Sequence, residues 1–398
     1  MAVKGFRKAG HAPSLVAALV HFDVSFMVWV LLGALGAFVA SDLHLTSAQK
    51  GLMVAVPPLG GAIFRLILGS LADRVGIKRT GLVALSCVFV PLGWGWLAGG
   101  TYGQILGIGL LLGVAGASFA VALPLASRWY PPEYQGLALG IAGAGNSGTV
   151  IAALVAPRLA NHLGWHAVFG LAAIPVSLAW IVFAVCAKEP PKSAGPTGLF
   201  SLLREGDARS LCAFYMVTFG GFVGLAGYLP IFFVDRFGLA KVTAATYAAL
   251  CTLSGSVLRP VGGALADRFG GTKVLMGVLI GVGAVAFALS SLPALGATVV
   301  GLSLVLGMLG MGNGAVFQLV PQRFPSRIGA MTGLVGAAGG IGGFLMPFGF
   351  ASLKGSTGSF ATGFVVFAAV AMVAVAGVAY RQRSWSLTWT TAKQEAFT

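Results

Sequence analysis

Two arginines, Arg65 and Arg259, lie in the middle of apolar segments long enough to cross a membrane, 194 residues apart. A guanidinium group stays protonated and costs roughly 2.5–3.5 kcal/mol at the centre of a bilayer on insertion scales, so an arginine there is functional by default. Its planar fork donates two parallel hydrogen bonds to a flat oxyanion. The pair therefore predicts one central site for a small anion.

The composition predicts that both arginines belong to an all-α integral membrane protein. The 398 residues are 57% hydrophobic and 9% charged, with 60 glycines and a mean hydropathy of +0.92. A spanning helix needs about 20 apolar residues. We predict twelve spans, at 14–40, 49–70, 80–99, 103–126, 135–157, 165–187, 210–234, 243–266, 274–292, 297–320, 329–352 and 359–380.

The basic residues predict the orientation of these spans. A net charge of +15 could indicate nucleic acid, but in a multispanning protein lysine and arginine mark the cytoplasmic side. We therefore expect both termini in the cytoplasm, an inner-membrane location and no nucleic-acid partner. With that orientation, the basic residues left on the outer side are Lys50, Arg158, Arg236, Lys241 and Lys354.

Two segments recur in the chain and indicate an internal duplication. GSLADRVGIKR from Gly69 returns as GALADRFGGTK from Gly263, at the offset of the two arginines. GLALGIAGA from Gly136 matches GAMTGLVGA from Gly329 at an offset of 193. Two halves from one duplicated unit place a substrate site between them at the midplane, open alternately to each side.

The duplication and one polar connection predict the domain boundaries. The segment 188–209 contains KEPPKSAGPTG and has six predicted spans on each side. We predict a first six-helix half at 1–187, a cytoplasmic loop at 188–209, a second six-helix half at 210–381 and a cytoplasmic tail at 382–398.

The repeated Gly-x-Leu-Ala-Asp-Arg-x-Gly segments connect spans 2 to 3 and 8 to 9 on the basic side. They resemble the loop signature of the major facilitator superfamily, whose fold has two pseudo-symmetric six-helix halves. The resemblance implies an inner gate that breaks when the site opens inward. Ordinary turn charges on the basic side are the alternative. The gating candidates are Asp73, Arg74, Asp267 and Arg268.

Two glycine-rich helices narrow the resemblance. GIAGAGNSGTVIAALVAP from Gly140 and GLVGAAGGIGGFLMP from Gly333 bring backbones close around a small cavity. With VPPLGGAIFR, GASFA, FYMVTFGGF and GMGNGAVFQLVP, they resemble the nitrate/nitrite porter family over nearly the whole chain. We expect glycines of spans 5 and 11 to let helices slide during alternation. These glycines are Gly143, Gly145, Gly336 and Gly339.

The family resemblance implies the residues of the anion site. Aromatic rings can sandwich a planar anion, while a tyrosine hydroxyl and an asparagine amide can donate to its oxygens. The alternatives are ordinary packing for the phenylalanines, of which the chain has 27, and arginines satisfied by helix carbonyls or by Asp residues. The implied site residues are Arg65, Arg259, Asn146, Tyr215, Phe119 and Phe219.

One position departs from the family pattern. Gly336 stands where some members have a serine in the glycine run of span 11. Its hydroxyl must be absent or replaced, for which Ser147, Thr149 and a backbone amide are candidates. The departure leaves the choice between nitrate and nitrite open.

The coupling mode has two candidates, because the family contains proton-linked nitrate symporters and nitrate/nitrite exchangers. Asp23 is the only acid inside a predicted span, and burial there favours its neutral form. It is our candidate for proton coupling, with a helix-packing hydrogen bond or a salt bridge to an arginine as the alternative. We favour proton-coupled nitrate import, with exchange as the alternative.

Other functions receive less support from the sequence. A carrier of another small anion, such as a carboxylate, remains a further alternative. The cysteines Cys87, Cys186, Cys212 and Cys251 lie in or beside apolar helices and predict neither disulfides nor a metal site. Without metal-ligand spacing, a P-loop or a nucleophile with a base, we expect no enzyme and no cofactor. We expect a monomer in the lipid bilayer.

Overall fold

A computed structural model of the protein describes residues 9–191, 199–324 and 327–395. Its regular structure is helical, and the described residues contain 12 helices long and apolar enough to cross a membrane, which confirms the predicted number. We number these spans 1 to 12. They are Ala12–Trp29, Ser47–Val75, Ile77–Ala98, Tyr102–Ser127, Ala138–Leu163, Trp165–Cys186, Gly206–Phe237, Lys241–Phe269, Gly271–Leu289, Leu295–Arg323, Ile328–Thr357 and Ala361–Trp385.

Spans 1, 4 and 5 are interrupted helices. Span 1 continues after Trp29 in two short helices, Leu31–Ala34 and Gly36–Asp42. Small residues at the breaks of spans 4 and 5 allow close packing by neighbouring helices. Span 4 consists of Tyr102–Gly116 and Phe119–Ser127, and span 5 of Pro132–Gly143, a 3-10 turn at Ala144–Ser147 and Gly148–Leu163.

The duplicated loop segments form the same joint in both halves. Spans 2 and 3 are joined by Gly76 alone, with φ 100° and ψ 153°. Spans 8 and 9 are joined by Gly270 alone, with φ 93° and ψ 132°. Glycine adopts a positive φ without the steric penalty of a Cβ, so the repeated glycine is required by the backbone. The sequence duplication is thus a structural duplication.

The connection between the halves and the end of the chain dock on each other. A short helix, Leu199–Leu202, precedes span 7, whose helix begins at Gly206, and the last helix extends to Glu395. Asp207 accepts a hydrogen bond from Trp385 Nε1 at 2.8 Å and pairs with Arg323 and Arg381. The helices that carry Asp207 and Trp385 therefore reach into the segments predicted as a cytoplasmic loop, 188–209, and a cytoplasmic tail, 382–398.

The halves meet along several helices, among them span 7, which packs against span 2 and the short helices after span 1. Span 2 packs against span 11, and span 5 packs against span 8. Glycines bring spans 2 and 11 together, since a Cβ at Gly340 would lie 2.8 Å from the carbonyl oxygen of Pro58. The remaining space between the halves is a cavity of about 2360 Å³.

The cavity opens at one end of the bundle only. We call the end at Gly76 and Gly270 the basic side, and the cavity is lined from Arg65 and Arg259 out to this side. The opposite side is closed by cross-half contacts. They are the ion pair of Lys50 Nζ with Asp235 at 2.8 Å, the hydrogen bond of Arg158 to Thr246 at 3.2 Å, and Lys241 Nζ 5.0 Å from the Phe38 ring.

Candidate functional site

Arg65 lies at the inner end of the cavity and is 2% exposed. Its Nε donates to the carbonyl oxygen of Gly116 at 3.0 Å, and its Nη1 donates to the carbonyl oxygen of Gly336. Its Nη2 is buried without a hydrogen-bond partner among the described residues. Helix carbonyls therefore satisfy part of the guanidinium group and leave one nitrogen with unused donors.

The break in span 4 supplies one of these carbonyls. The amide of Ala120 donates to Ala117 at 2.9 Å instead of reaching back to Gly116. The carbonyl of Gly116 is left without its helical partner, as at any helix end. The run of small residues around it makes room for the Arg65 side chain to reach the backbone.

Three aromatic rings surround the Arg65 guanidinium group. Its Cζ lies 5.3 Å from the centroid of Trp29, 5.6 Å from Phe119 and 5.4 Å from Phe219. These are cation–π distances. Trp29 is fixed in turn, because its Nε1 donates to the carbonyl oxygen of Pro57 at 2.8 Å. The rings keep water away from a charge that has no carboxylate partner among the described residues.

Arg259 has fewer partners than Arg65. It is half-buried, and its Nη2 donates to the hydroxyl of Tyr215 at 3.4 Å. Its Cζ lies 5.7 Å from the Phe317 ring. Tyr215 stacks on Phe219 with centroids 4.9 Å apart and planes within 5°, and Phe219 touches Arg65. The stacked pair therefore links the two arginines.

Asn146 lies in the 3-10 turn of span 5 and faces span 8. Its Nδ2 donates to Ser256 Oγ at 3.1 Å, and its Oδ1 is buried without a partner among the described residues. The turn is held by Thr149, whose hydroxyl donates to the carbonyl oxygen of Asn146 at 2.8 Å. A buried amide with unused capacity is costly unless a ligand or water satisfies it.

The six predicted site residues are brought together. Arg65, Arg259, Asn146 and Phe119 line one cavity. Tyr215 and Phe219 join them through the contacts described above. Among the described lining residues, the acidic ones lie toward the basic side, near the ends of spans 2 and 8 and after span 6. These acids are Asp73, Glu189 and Asp267.

Asp23, the predicted coupling residue, lies beside the site and does not line the cavity. Its Oδ1 accepts a hydrogen bond from Ser147 Oγ at 2.7 Å. Ser147 follows Asn146 in the same turn, and Phe22 packs against Phe119 with centroids 5.8 Å apart. Asp23 thus touches the turn that carries the site amide.

The predicted gating residues lie at the mouth of the cavity or next to it. Asp73 accepts from Arg128 Nη2 at 3.4 Å within the first half, and Asp267 and Arg74 line the cavity. Arg268 lies against Phe269, with its Cζ 5.2 Å from the ring. Among the described residues of the basic side, the ion pairs all join residues of one half.

The four predicted sliding glycines fall into two classes. A Cβ at Gly145 would lie 2.8 Å from the backbone nitrogen of Asp23, and one at Gly339 would lie 2.6 Å from Tyr215 Cδ1. A Cβ at Gly336 would meet Arg65 and Phe119 at an ordinary 3.6 Å, and one at Gly143 would meet nothing within 4 Å. Only Gly145 and Gly339 are close-packed in this conformation.

Three residues of the site escaped the sequence reasoning: Trp29, Phe317 and Ser256. Trp29 carried a signal, because it lies in the interior of the predicted first span whereas membrane tryptophans concentrate at interfaces. Ser256 comes one helical turn before Arg259, which places both on one face. Phe317 lies in a segment that the family resemblance had already selected.

The described residues contain no group of three or more His, Cys, Asp or Glu side chains that could hold a metal ion. All four cysteines are free. The cavity presents cations, hydrogen-bond donors and aromatic rings. Such a set suits recognition of an anion.

Comparison with solved structures supports the fold. The crystal structure of a bacterial homologue of the human lysosomal transporter Spinster, in an inward-facing and occupied conformation, aligns with a TM-score of 0.69 at 17% identity. The alignment covers 93% of this chain and 96% of that one. At this level of identity the likeness concerns the fold alone.

Comparison with known sequences identifies the family. Residues 17–347 match the Major Facilitator Superfamily. The nitrite extrusion protein of Bacillus subtilis is 34% identical over 350 residues, 87% of this chain and 88% of that protein. The probable nitrate/nitrite transporter NarK2 of Mycobacterium tuberculosis is 34% identical over 392 residues, 94% and 97%. This confirms the predicted resemblance: the chain is a membrane transporter that belongs to the nitrate/nitrite porter family of the major facilitator superfamily.

Proposed function

We propose that the protein imports nitrate, and accepts nitrite, by alternating access across the cytoplasmic membrane. The observation that carries this proposal is the buried Nη2 of Arg65, which has no partner in the described part of the chain and lies among three aromatic side chains. A guanidinium nitrogen in this setting needs an acceptor. The acceptor that fits beside stacked rings is a flat, delocalised oxyanion.

The wall of the site favours a small anion over a carboxylate with an organic tail. Tyr215 and Phe219 are stacked, and Phe317 meets Tyr215 edge-on at 5.0 Å. Rings fill the space between the two arginines and offer few hydroxyls to a larger polar substrate. Competition between nitrate and carboxylates for uptake tests whether the protein carries a carboxylate instead.

The closed and open ends support alternating access. The halves 1–187 and 210–381 are tied at the opposite side by the pair of Lys50 and Asp235, while the cavity reaches the basic side. With the basic side and both termini in the cytoplasm, this is the inward-open state of a monomer. When the halves rock, Asp73, Arg74, Asp267 and Arg268 come together as the inner gate.

Coupling to protons runs through Asp23 in this proposal. Its carboxylate accepts from Ser147, the residue after Asn146, so a change in its charge alters the turn that presents the site amide. Protonation of Asp23 removes one acceptor from that turn and lets an inward proton gradient drive anion uptake. The proposed mechanism includes no enzymatic step.

Exchange of nitrate for nitrite is the second candidate, and one observation favours it. None of the acidic residues that the structure describes contacts either arginine. The anion itself then neutralises the two guanidinium groups, and an empty carrier closes only at high electrostatic cost. In that mechanism the return step requires an anion on the other side.

Uptake into proteoliposomes separates these functions. Vesicles without internal anion receive labelled nitrate with and without an inward proton gradient, using the wild type, Asp23→Asn and the control Asp42→Asn. We expect uptake driven by the gradient that is lost in Asp23→Asn and kept in the control. Uptake that appears only with nitrite inside establishes exchange, and the absence of nitrate flux in all conditions contradicts the proposed substrate.

A further inference from the structure

Ser256 makes a hydrogen bond between the two halves. It lies on span 8, three residues before Arg259, and lines the cavity. Its Oγ accepts from Asn146 Nδ2 of span 5 at 3.1 Å. A serine hydroxyl accepts and donates, and the hydroxyl hydrogen of Ser256 has no acceptor among the described residues.

The other hydroxyls on this part of span 8 are used within the protein. Thr252 Oγ1 donates to the carbonyl oxygen of Ala248 at 2.8 Å. Ser254 Oγ lies 2.7 Å from the carbonyl oxygens of both Cys251 and Ser303. Serine and threonine in membrane helices usually bond backbone carbonyls in this way. Ser256 keeps its donor free instead.

The site has no side-chain hydroxyl at position 336, where this chain has glycine and some family members have serine. Both hydroxyls proposed as replacements from the sequence are engaged: Ser147 donates to Asp23 at 2.7 Å, and Thr149 donates to the Asn146 carbonyl at 2.8 Å. The buried hydroxyls of Ser118 and Thr218 lack partners among the residues that the structure describes, but neither residue lines the cavity. Ser256 faces the cavity close to Arg259, and its hydroxyl hydrogen has no acceptor among the described residues.

We propose that Ser256 determines the preference of the site for nitrate over nitrite. Asn146 holds the oxygen of Ser256 from the other half, which directs the hydroxyl hydrogen to an oxygen of the bound anion. The two arginine forks are able to hold two oxygens, which both anions have. Nitrate offers three oxygens and nitrite two, so a donor added to those of the arginines, Tyr215 and Asn146 favours nitrate. This inference rests on the proposed function, because it names the selectivity of the same site.

Binding measurements on the purified full-length protein test this role. Nitrate and nitrite affinities are measured by calorimetry for the wild type, Ser256→Ala, Ser256→Thr and the control Ser254→Ala. In Ser256→Ala we expect nitrate binding to weaken about tenfold, as for one lost hydrogen bond to a charged group, with nitrite within about twofold. Ser256→Thr keeps a hydroxyl and restores the preference, and Ser254→Ala retains it.

The ratio of the two affinities distinguishes selectivity from support. If Ser256→Ala weakens the binding of nitrate and nitrite equally, and Asn146→Ala does the same, Ser256 only positions the Asn146 amide and the proposal is wrong. An unchanged ratio in Ser256→Ala also overturns it, while wild-type binding leaves the proposed function intact. A wild type that binds neither anion overturns the proposed function itself, and the inference with it.

Discussion

Arg65 and Arg259 occupy equivalent places in the duplicated sequence, but their surroundings differ. Arg65 is held by two carbonyls and three rings, and one of those carbonyls, that of Gly336, belongs to the other half. Arg259 has one hydrogen bond of 3.4 Å to Tyr215 and one ring. Duplication has preserved two cations. Arg65 is held in place by several contacts, whereas Arg259 has fewer contacts and more freedom to move.

The difference predicts unequal roles in binding. A side chain with most of its donors committed is preorganised and loses little freedom when a ligand arrives. A half-buried guanidinium with one long hydrogen bond is able to move toward the ligand. We therefore expect Arg65 to be required for any binding and Arg259 to adjust the affinity.

The largest effect is expected from Arg65→Lys. Lysine keeps the charge, but it lacks the planar fork that lets arginine bind two carbonyls and an anion at once. The buried carbonyls of Gly116 and Gly336 are then left unpaired. We expect nitrate uptake to fall at least about a hundredfold, consistent with the loss of two or more buried hydrogen bonds. Initial uptake rates in proteoliposomes measure it, with the exposed Arg209→Lys as control. Retention of a tenth of the wild-type rate would falsify the fixed role of Arg65.

Arg259→Lys is expected to cause a smaller loss. The charge remains, and only one weak hydrogen bond to Tyr215 is given up in the empty site. We expect nitrate affinity to weaken roughly tenfold, from loss of bidentate contact with the anion. Titration of binding in parallel with Arg65→Lys provides the test. Equal losses in the two variants would show that the arginines act alike despite their different surroundings.

Trp29→Phe tests the aromatic surroundings of Arg65. The ring is kept, but the hydrogen bond from Nε1 to Pro57 is lost, so the ring beside the guanidinium is less well fixed. We expect nitrate affinity to weaken about fivefold, which corresponds to the free energy of one net hydrogen bond. Trp180→Phe is the matched control, since it removes a tryptophan bond to Ser86 at an exposed position. Equal affinities in both variants and the wild type argue against a positioning role for Trp29.

The smallest effect is expected from Gly336→Ser. A Cβ there meets Arg65 and Phe119 at an ordinary 3.6 Å, so the added side chain fits beside the fixed arginine. We expect nitrate uptake within about twofold of the wild type, because the added Cβ requires no neighbour to move. Gly339→Ser is the contrast, because its Cβ would lie 2.6 Å from Tyr215 and displace the stacked pair. Similar rates in the two variants would show that contact distance does not govern this helix.

The fold and the principal cations were predictable from the sequence. Hydropathy identifies spans because each must satisfy its own backbone in lipid, and the repeat at one offset reveals two halves. Arg65 and Arg259 stand out because a charge inside a span is rare. The structure confirms the number of spans, and the comparisons with known proteins confirm the family.

The second layer of the site was not predictable in the same way. Spans that are apolar all round give no signal of which face points inward, so Phe317 could not be told from packing. The break that frees the carbonyl of Gly116 depends on local backbone geometry in a run of small residues. Glycine runs likewise predicted close packing, yet only Gly145 and Gly339 of the four candidates are close-packed in this conformation.

The hydrogen bond from Arg65 Nη1 to the carbonyl of Gly336 crosses from one half to the other. In the proposed alternating access, rotation of the halves would separate donor from acceptor, and a bond broken in a medium of low dielectric is costly in enthalpy. A bound oxyanion offers the released nitrogen another acceptor, whereas an empty site does not. The temperature dependence of transport should therefore be steeper for the return of the empty carrier than for the movement of the loaded one.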